Sequence, residues 1–340
     1  MVSMKDISIK CGVSVATVSK ALSGQSDIGK KTAQHIRKVA KEMGYLPNAA
    51  ARALKTNRTN NLGVVYIDNT KSGLAHEYFS TILDSFKEEA ERNGYDITFI
   101  SNNIGEFEMS FLEHCRYRAC DGVAVVCADF NDPDVIELVQ SEIPVVTIDH
   151  VFNEKTAILS NNVQCVRDLV TYLVEQGHRK IAFIHGEDTS VTQKRIASFY
   201  RTCQEHGISV PEAYVKSALY HDPASSAEAT RALLSLADRP TCIMYPDDFS
   251  FMGGRNVLDE MDLKIPEDIS VAGFDGIYLS QVIQPALTTV QQDAVSIGRE
   301  AANRLIASIE NPKAAVTEQV MIDGRLLPGK SVKRIIDTES

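Results

Sequence analysis

The chain has 340 residues, 44% of them hydrophobic and 24% charged, and its formal net charge at pH 7 is −10. This length and composition allow more than one sizeable core, so we expect two or three domains. No apolar run resembles a signal peptide or a membrane span, so we expect a soluble cytoplasmic protein. The seven scattered cysteines include no Cys-x-x-Cys pair, which argues against a disulfide framework or a zinc site.

Charge is distributed unevenly along the chain. Residues 1–61 hold eleven Lys and Arg residues against three acidic residues, a net charge of +8, which leaves −18 for the remainder. A basic segment attached to an acidic body is typical of a nucleic-acid-binding head. The sequence therefore favours DNA binding over the alternative that the first helices merely belong to a helical bundle.

Two short helical patterns lie within residues 4–22, on either side of the tripeptide Gly12-Val13-Ser14. Gly12 suits a turn with positive φ, and Ser14 is a good N-cap for a helix beginning at Val15. Two helices joined by such a turn are typical of a helix-turn-helix, whose second helix offers its first residues to the major groove. The predicted base-reading residues are Val15, Ala16, Thr17 and, one turn further, Lys20.

A third, basic helix is predicted over about 30–43, with apolar residues at helical spacing that close a small three-helix core: Ile36, Val39, Ala40 and Met43. Residues 47–55 form a short alanine-rich helical pattern before a polar linker. A helix of about two turns is marginal alone in water, so we expect it to order on a partner. Leu54 either packs on its own headpiece or wedges between minor-groove base steps.

From residue 62 the pattern alternates between apolar strands and helices, which predicts parallel sheets covered on both faces. Two successive doubly wound sheets of similar size imply two lobes with a cleft, and ligands bind at the carboxyl ends of such strands. The predicted strands are 62–67, 96–101, 122–127, 144–148, 180–184, 214–218, 241–245 and 269–274. The predicted helices are 77–93, 108–118, 134–140, 162–176, 194–205, 224–237 and 249–261.

Motifs of catalysis and of cofactor binding do not stand out in the sequence. There is no Gly-x-Ser-x-Gly elbow, Walker loop or His-Glu-x-x-His. The pair Asp247-Asp248 has no His or Cys cluster beside it, and Gly253-Gly254 lacks dinucleotide-fingerprint spacing. We therefore expect neither an enzyme nor a metal or cofactor site. A solute-binding protein would share the bilobal body, but would have no use for a basic helix-turn-helix.

The sequence resembles the LacI/GalR family of bacterial transcriptional regulators, with matches in the family's order from residue 4 to about 330. The matching motifs are Val13-Ser14-Val15-Ala16-Thr17-Val18-Ser19, Gly44-Tyr45-Leu46-Pro47-Asn48-Ala49-Ala50-Ala51-Arg52-Ala53-Leu54, Gln176-Gly177-His178-Arg179-Lys180-Ile181-Ala182, Ile265-Pro266-Glu267-Asp268-Ile269-Ser270-Val271-Ala272-Gly273-Phe274-Asp275 and Pro285-Ala286-Leu287-Thr288-Thr289-Val290. The resemblance implies a homodimer, sometimes a dimer of dimers, that reads a pseudo-palindromic operator as a repressor.

For DNA binding, the resemblance implies a hinge helix with Leu54 as the minor-groove wedge. It places Lys20 where the family uses a variable base reader, and a Lys donor suits the O6 and N7 acceptors of guanine. Thr17 and Ser19 match phosphate or structural contacts rather than sequence readers. The implied DNA-binding residues are Ser14, Val15, Ala16, Thr17, Ser19, Lys20, Asn48, Ala51, Arg52 and Leu54.

The resemblance also implies a periplasmic-binding-protein-like core in which the chain crosses between lobes three times. The expected domains are a helix-turn-helix domain over 1–46, a hinge helix and linker over 47–61, and an effector-binding and dimerisation core over 62–340. The expected crossings lie near 160–162, 289–292 and 318–322. They give an N-lobe of about 62–161 with 292–319 and a C-lobe of about 162–289 with 322–340, where 321–327 and 332–335 are predicted to add strands.

Residues of the effector cleft follow from the resemblance position by position. Asp275 matches the acid that grips sugar hydroxyls or a purine edge, and Arg195 matches a ligand-binding arginine. His221 falls near an aromatic that stacks on the ligand, with Tyr220 as the competing assignment. The implied effector-binding residues are His76, Tyr78, Phe79, Asp149, Arg195, His221, Asp247 and Asp275. The loop His76-Glu77-Tyr78-Phe79 departs from the family's Asn-Pro-Phe-Phe, so an unusual effector is conceivable.

An Asp–Arg constellation in a closing cleft suits a polyhydroxylated ligand, so we expect a sugar or sugar derivative. The expected mechanism is conformational linkage: the effector changes the angle between the lobes, and with it the pairing of two hinge segments on the operator. The sequence does not show whether the effector lowers operator affinity, as an inducer does, or raises it, as a corepressor does.

Overall fold

The computed structural model describes residues 2–23, 27–46, 58–68 and 72–335. The chain forms two units, Met1–Thr59 and Asn60–Ser340. The expected hinge helix lies outside the described residues, and with it Asn48, Ala51, Arg52 and Leu54. In the part of the chain that the structure describes, no helix is both long and apolar enough to cross a membrane.

Within the described residues, the first unit contains three helices, α1 (Met4–Cys11), α2 (Val15–Leu22) and α3 (Lys30–Glu42). A capping box between Ser3 and Asp6 begins α1, which ends at Gly12 in the left-handed conformation with φ of 65°. The side chain of Ser14 accepts a hydrogen bond from the backbone N–H of Thr17 and so caps α2. The predicted turn and N-cap are both confirmed.

The three helices close over a small apolar core. Buried residues come from each helix, and the predicted Met43 packs against them, as do Cys11 and Leu22, while remaining partly exposed. The predicted three-helix core is therefore confirmed. Its buried members are Ile7, Val18, Ala21, Ile36, Val39 and Ala40.

The second unit contains two six-stranded sheets, which define its two lobes. The first sheet has the order β13-β7-β6-β5-β1-β2 and is parallel throughout; the second has the order β14-β12-β11-β10-β8-β9 and is parallel except for its edge strand β14. The strands are β1 Asn61–Tyr66, β2 Asp96–Ile100, β3 Asn103–Ile104, β4 Phe107–Glu108, β5 Gly122–Cys127, β6 Val145–Ile148, β7 Thr156–Ser160, β8 Ile181–His185, β9 Val215–Ser217, β10 Cys242–Met244, β11 Ser270–Asp275, β12 Thr288–Gln291, β13 Gln319–Ile322 and β14 Arg325–Leu327.

Helices cover both faces of each sheet, as expected for parallel strands that are apolar along their whole length. The predicted α/β architecture with two doubly wound sheets is confirmed. The helices of this unit are α4 Glu77–Arg92, α5 Phe111–Tyr117, α6 Pro133–Gln140, α7 Asn162–Glu175, α8 Ser190–Glu205, α9 Pro223–Leu234, α10 Phe251–Glu260, α11 Tyr278–Val282 and α12 Ala294–Glu310.

Three crossings join the lobes: between β7 and α7, between β12 and α12, and between β13 and β14. The single strand predicted over 321–327 is wrong, because β13 ends in the first sheet and β14 begins in the second. Gly324 lies between them, where a Cβ atom would meet the sulfur of Cys165 at 2.7 Å. Only a residue without a side chain allows this close crossing.

Other differences concern short or weakly patterned elements. The predicted strand over 332–335 is wrong, since these residues form no regular structure. The helix predicted from residue 108 begins at Phe111, because a hairpin of β3 and β4 occupies 103–108. Strands β7 and β12 and helix α12 were not predicted, although α12 packs along α4 in the core of the first lobe.

Candidate functional site

The N-terminal end of α2 presents the predicted base-reading residues to solvent. Val15, Ala16 and Lys20 are exposed, whereas Val18 on the opposite side is fully buried. Thr17 is half-buried, and its hydroxyl lies 2.9 Å from that of the N-cap Ser14. Ser19 is half-buried as well. One helix end therefore displays a small apolar surface and a flexible cation, which suits contact with base edges in a groove.

Lys20 forms an ion pair with Asp27, in the loop before α3. The hydrogen bond from Lys20 holds the pKa of Asp27 below its usual value. Both side chains are about half exposed, so the pair is weak and a stronger acceptor can replace Asp27. The ion pair thus orients Lys20 at the helix surface but is weak enough to be broken when Lys20 binds another acceptor.

In the second unit, Asp149 follows β6 of the first lobe and lies in the cleft. Its Oδ1 accepts a hydrogen bond of 2.7 Å from the backbone N–H of Ser160, and its Oδ2 lies 3.2 Å from the hydroxyl of Tyr78. Burial raises the pKa of Asp149, while the Ser160 N–H and the nearby Arg195 oppose that rise. The first lobe therefore offers a carboxyl group that is already oriented by its own backbone.

Arg195, on α8 of the second lobe, is buried at the facing side. It donates Nε–H to Oδ1 of Asn162 at 2.8 Å and Nη1–H to the carbonyl of Pro246 at 3.0 Å. Its guanidinium carbon stacks 3.6 Å from the ring centroid of Phe274. Among the described residues these bonds use two of the five N–H donors of the guanidinium, which leaves donors for a ligand.

Asp275 ends β11 with a φ of 97°, a conformation that turns its carboxyl away from the strand. Its Oδ1 accepts a 2.7 Å hydrogen bond from the side-chain amide of Gln292, at the second crossing. Burial and the neighbouring Asp247 raise the pKa of Asp275 to about 7, against the opposing effect of Arg195. Within the described chain, Arg195 makes no direct ion pair with Asp275 or Asp149, although its charge acts on both carboxyl groups.

Asp247 is buried. It contacts His221, which lies 26 residues earlier in the sequence. Its Oδ2 accepts hydrogen bonds from the backbone N–H of His221 at 2.8 Å and from the hydroxyl of Ser250 at 2.7 Å. Its Oδ1 accepts another from the Ser250 N–H at 2.7 Å. These three bonds fix the orientation of the carboxylate, whose charge acts on Asp275.

Stacked rings join the two lobes. The imidazole of His76 in the first lobe stacks on that of His221 in the second at 4.0 Å, and His221 stacks in turn on Phe249 at 4.1 Å. Phe79 meets His76 edge-on at 4.8 Å. Nδ1 of His221 also lies 2.8 Å from the hydroxyl of Ser72 in the first lobe. The lobes therefore touch through His76 and His221, which the resemblance assigned to the ligand.

Tyr220, the competing assignment, lies elsewhere. Its ring is 5.6 Å from the guanidinium of Arg195, and its hydroxyl is 2.8 Å from that of Thr192. A Cβ atom at Gly186 would meet the Tyr220 ring at 2.2 Å, so the ring requires glycine there. Tyr220 thus lies beside Arg195, while His221 bridges the lobes.

A cavity of about 420 Å³ lies between the lobes, which is large enough for a small polar ligand. Of the predicted residues, Tyr78 and Asp275 line it. Gln292 also lines it and is itself buried, and its Oε1 has no hydrogen-bond partner within the described residues. The lining residues are Glu77, Tyr78, Thr81, Asp275, Gly276, Ile277, Gln291, Gln292, Asp293, Ala294, Val295, Asp323, Gly324 and Arg325.

Sequence reasoning missed several residues of the cleft. Ser160 is the last residue of β7, Asn162 comes two residues later, and Gln292 follows β12; neither strand was predicted. Had those strands been predicted, the rule that polar residues after parallel strands form the site would have indicated all three. No local pattern distinguishes Phe249 or Ser72.

Two family descriptions match the chain. Residues 3–48 match the bacterial regulatory proteins of the lacI family, and residues 170–332 match the periplasmic binding protein-like domain. The HTH-type transcriptional repressor PurR of Haemophilus influenzae (strain PittEE) is 30% identical, covering 99% of this chain and 100% of its own length. The HTH-type transcriptional repressor PurR of Klebsiella pneumoniae (strain 342) is 31% identical, with 98% and 97% covered.

Solved structures share the fold. The lac repressor dimer bound to operator and the anti-inducer ONPF superposes with a TM-score of 0.79 at 23% identity, covering 98% of this chain and 99% of that one. The complex of the transcriptional regulator CelR with cellobiose gives 0.72 at 22% identity, with 97% and 100% covered. A LacI family transcriptional regulator from Enterococcus faecium with bound ribose gives 0.70 at 21% identity, with 81% and 100% covered.

Proposed function

The chain belongs to the LacI family of bacterial regulatory proteins, and from this premise we propose that a small molecule between its two lobes controls its affinity for operator DNA. It is a DNA-binding transcriptional repressor of that family and not an enzyme. We further propose that it acts as a homodimer on a pseudo-palindromic operator, since each chain carries one helix-turn-helix.

For DNA reading, we propose that α2 enters the major groove with Val15 and Ala16 at the bases, while Thr17 makes a phosphate or structural contact. Lys20 would leave Asp27 for a guanine edge, because guanine offers two acceptors and Asp27 is a weak, exposed partner. Ser14 acts by capping α2, and Ser19 by contacting phosphate. The minor-groove roles of Asn48, Ala51, Arg52 and Leu54 rest on the family resemblance alone.

One observation carries the proposal for the effector: Asp149 of the first lobe and Asp275 of the second both interact with the charge of Arg195, and among the described residues neither forms a direct ion pair with it. A ligand that donates to both carboxylates and accepts from the guanidinium would hold the lobes together. Hydroxyl groups do both at once, since each is a donor and an acceptor. This supports a sugar or sugar derivative.

The charges of the cleft residues limit the chemical class of ligand that can bind. Three buried or half-buried acids, Asp149, Asp247 and Asp275, accompany Arg195, the one buried Lys or Arg side chain among the described residues. Another negative charge would be costly in this setting, so the ligand we propose is neutral and carries no phosphate or carboxylate. A purine is the second candidate, since its N–H groups could also donate to Asp275.

The proposed control is a change in the angle between the lobes. The stack of His76 on His221 and the hydrogen bond from the Tyr278 N–H to Glu77, 2.6 Å long, already link the lobes. A ligand with different affinity for the closed and open arrangements shifts the balance between them, and this difference sets the sign of the effect on DNA affinity. A solute-binding protein without a regulatory role is the alternative, but it does not account for the helix-turn-helix.

The test begins with selection of an operator from random DNA by the full-length protein at fixed salt, because affinity depends steeply on ionic strength. Lys20→Ala should relax base preference at one position of each half-site. Leu54→Ala should weaken specific binding far more than non-specific binding. Equal losses on operator and random DNA for both variants would overturn the DNA-reading assignment.

The effector is then sought by titrating the operator complex with neutral sugars including ribose and cellobiose, their phosphates, and purine bases. We expect a neutral sugar to change operator affinity and its phosphate to have no effect. A response to purines alone would replace the sugar by the second candidate. A selected operator that responds to none of these compounds would contradict the proposed ligand class while leaving the DNA-binding function intact.

A further inference from the structure

The end of α5 brings two cysteines together in the first lobe, away from the cleft residues. The N–H of Cys120 bonds to the carbonyl of Cys115 at 2.9 Å, and the N–H of Ala119 bonds to that of Arg116 at 3.0 Å. Ala119 has a φ of 48°. These are the bonds and the left-handed residue of a Schellman motif, whose first and last residues place their side chains in contact.

The two thiols differ in surroundings. Cys115 is fully buried, whereas Cys120 is half-buried. The sulfur of Cys120 accepts a hydrogen bond, 3.6 Å long, from the side-chain amide of Asn61. Its neighbour Cys115 and the nearby Arg118 lower the pKa of the Cys120 thiol, against the opposing effects of burial and of the charge on Asp121, while the pKa of Cys115 is raised.

We propose that Cys115 and Cys120 form a peroxide-reactive thiol pair that closes into an intramolecular disulfide, with Cys120 as the attacking sulfur and Cys115 as the resolving one. A half-buried thiol with a lowered pKa beside a second thiol is the arrangement that reversible thiol oxidation requires. The Schellman motif places the half-buried Cys120 and the second thiol, Cys115, side by side.

The oxidant is a hydroperoxide. The Cys120 thiolate attacks one peroxide oxygen, the O–O bond breaks, and the leaving oxygen takes a proton to give water or an alcohol, which leaves a sulfenic acid on Cys120. The Cys115 sulfur then attacks the Cys120 sulfur, loses its proton and expels the sulfenic oxygen as water. Two thiols are oxidised to one disulfide, and one peroxide is reduced.

The site adjoins the first residues of the second unit. The backbone N–H of Asn60 donates to Oδ2 of Asp121 at 2.7 Å, and the side chain of Asn61 donates to the carbonyl of Arg118 at 3.2 Å. The N–H of Asp121 donates to the carbonyl of Asn61 at 2.8 Å. The disulfide would therefore form in the loop that holds the beginning of β1.

The experiment uses the reduced full-length protein, hydrogen peroxide, alkylation of remaining thiols and peptide mass spectrometry. We expect a Cys115–Cys120 disulfide, reversible by dithiothreitol, that forms at least tenfold faster than oxidation of Cys11 or Cys127, the other half-buried cysteines. With Cys115→Ser, dimedone should trap a sulfenic acid on Cys120. With Cys120→Ser, Cys115 should stay reduced at the same peroxide dose.

Asn61→Ala removes one donor to the Cys120 sulfur and should slow its alkylation by iodoacetamide severalfold without changing the cysteine content. Oxidation of Cys120 no faster than that of Cys11 and Cys127 would overturn the proposal. So would a peroxide-induced disulfide that joins any other pair. The comparison of rates within the unaltered protein needs no variant, so the proposal is tested even if a substitution impairs folding.

Discussion

The DNA-reading end of α2 and the cleft between the lobes present their polar groups in opposite ways. Val15, Ala16 and Lys20 are exposed and are oriented by one capped helix end. Asp149 and Arg195 are held by protein donors and acceptors that come from distant parts of the chain. Changes at the first surface should therefore alter recognition alone, whereas changes in the cleft should alter recognition and stability together.

The largest effect is expected for Arg195→Met. It leaves the acceptors of Asn162 and Pro246 without a donor and removes the positive charge near Asp149 and Asp275. We expect the free energy of unfolding to fall by about 3 kcal/mol and effector affinity to fall at least about a hundredfold. Urea unfolding and calorimetric titration measure the two effects.

Arg201→Met is the matched control, since it removes the same type of charge from an exposed position of α8. It should change stability by no more than about 0.5 kcal/mol. Similar losses of stability in the two variants would contradict the distinction between a structural cleft cation and a surface one.

The contact between the lobes predicts a dependence of stability on pH. Burial, together with the charge of His221, lowers the pKa of His76 to about 4, against the opposing effect of Asp247 and Asp68. In the unfolded chain this imidazole takes up a proton near pH 6.5, so the contribution of the neutral His76 to the free energy of unfolding is fully present above that pH. As the pH falls toward 4, the free energy of unfolding decreases by about 3 kcal/mol in all.

His76→Phe keeps a ring against His221 and removes the titrating group, so unfolding free energies measured from pH 8 to pH 4 should fall less steeply than in the unaltered protein. His206→Phe, on the exposed surface of the second lobe, serves as the control and should leave the pH dependence unchanged. If the free energy of unfolding depends on pH equally in His76→Phe and in the unaltered protein, then the expectation that His76 stays neutral in the folded state is wrong.

The same contrast explains what could be predicted from the sequence. The N-cap at Ser14 and the turn at Gly12 depend on neighbours within a few residues, and both were predicted. The long apolar strands of the second unit were predicted too, because burial on both faces leaves an uninterrupted signal.

The cleft was harder to predict because its contacts join distant segments. Asp275 and Gln292 meet through β12, a strand of four residues, and His76 meets His221 across 145 positions of the chain. No periodicity reports such contacts. Only the family resemblance brought Asp149, Arg195, Asp247 and Asp275 forward as a set, and it assigned His76 and His221 to the ligand although they stack on each other.

A smaller effect is expected from the cap of α2. Ser14→Ala removes the hydrogen bond of 3.0 Å to the Thr17 N–H and should destabilise this helix end by about 1 kcal/mol. Hydrogen exchange in the full-length protein should therefore accelerate about fivefold at residues 15–18. Ser23→Ala, which removes a bond to the carbonyl of Lys20 at the other end of α2, should leave those amides unchanged.

The smallest effect, and the sharpest test of the exposed surface, is expected for Asp27→Asn. This change frees Lys20 without altering a buried contact, so operator affinity should rise by roughly twofold to fivefold at low salt and by less at high salt. Glu42→Gln removes the same charge from the exposed pair with Lys38 on α3 and corrects for general attraction to DNA. If both variants bind operator equally tightly, the gain reflects net charge alone. A gain for Asp27→Asn that disappears in the Lys20→Ala background would instead assign it to the released amine.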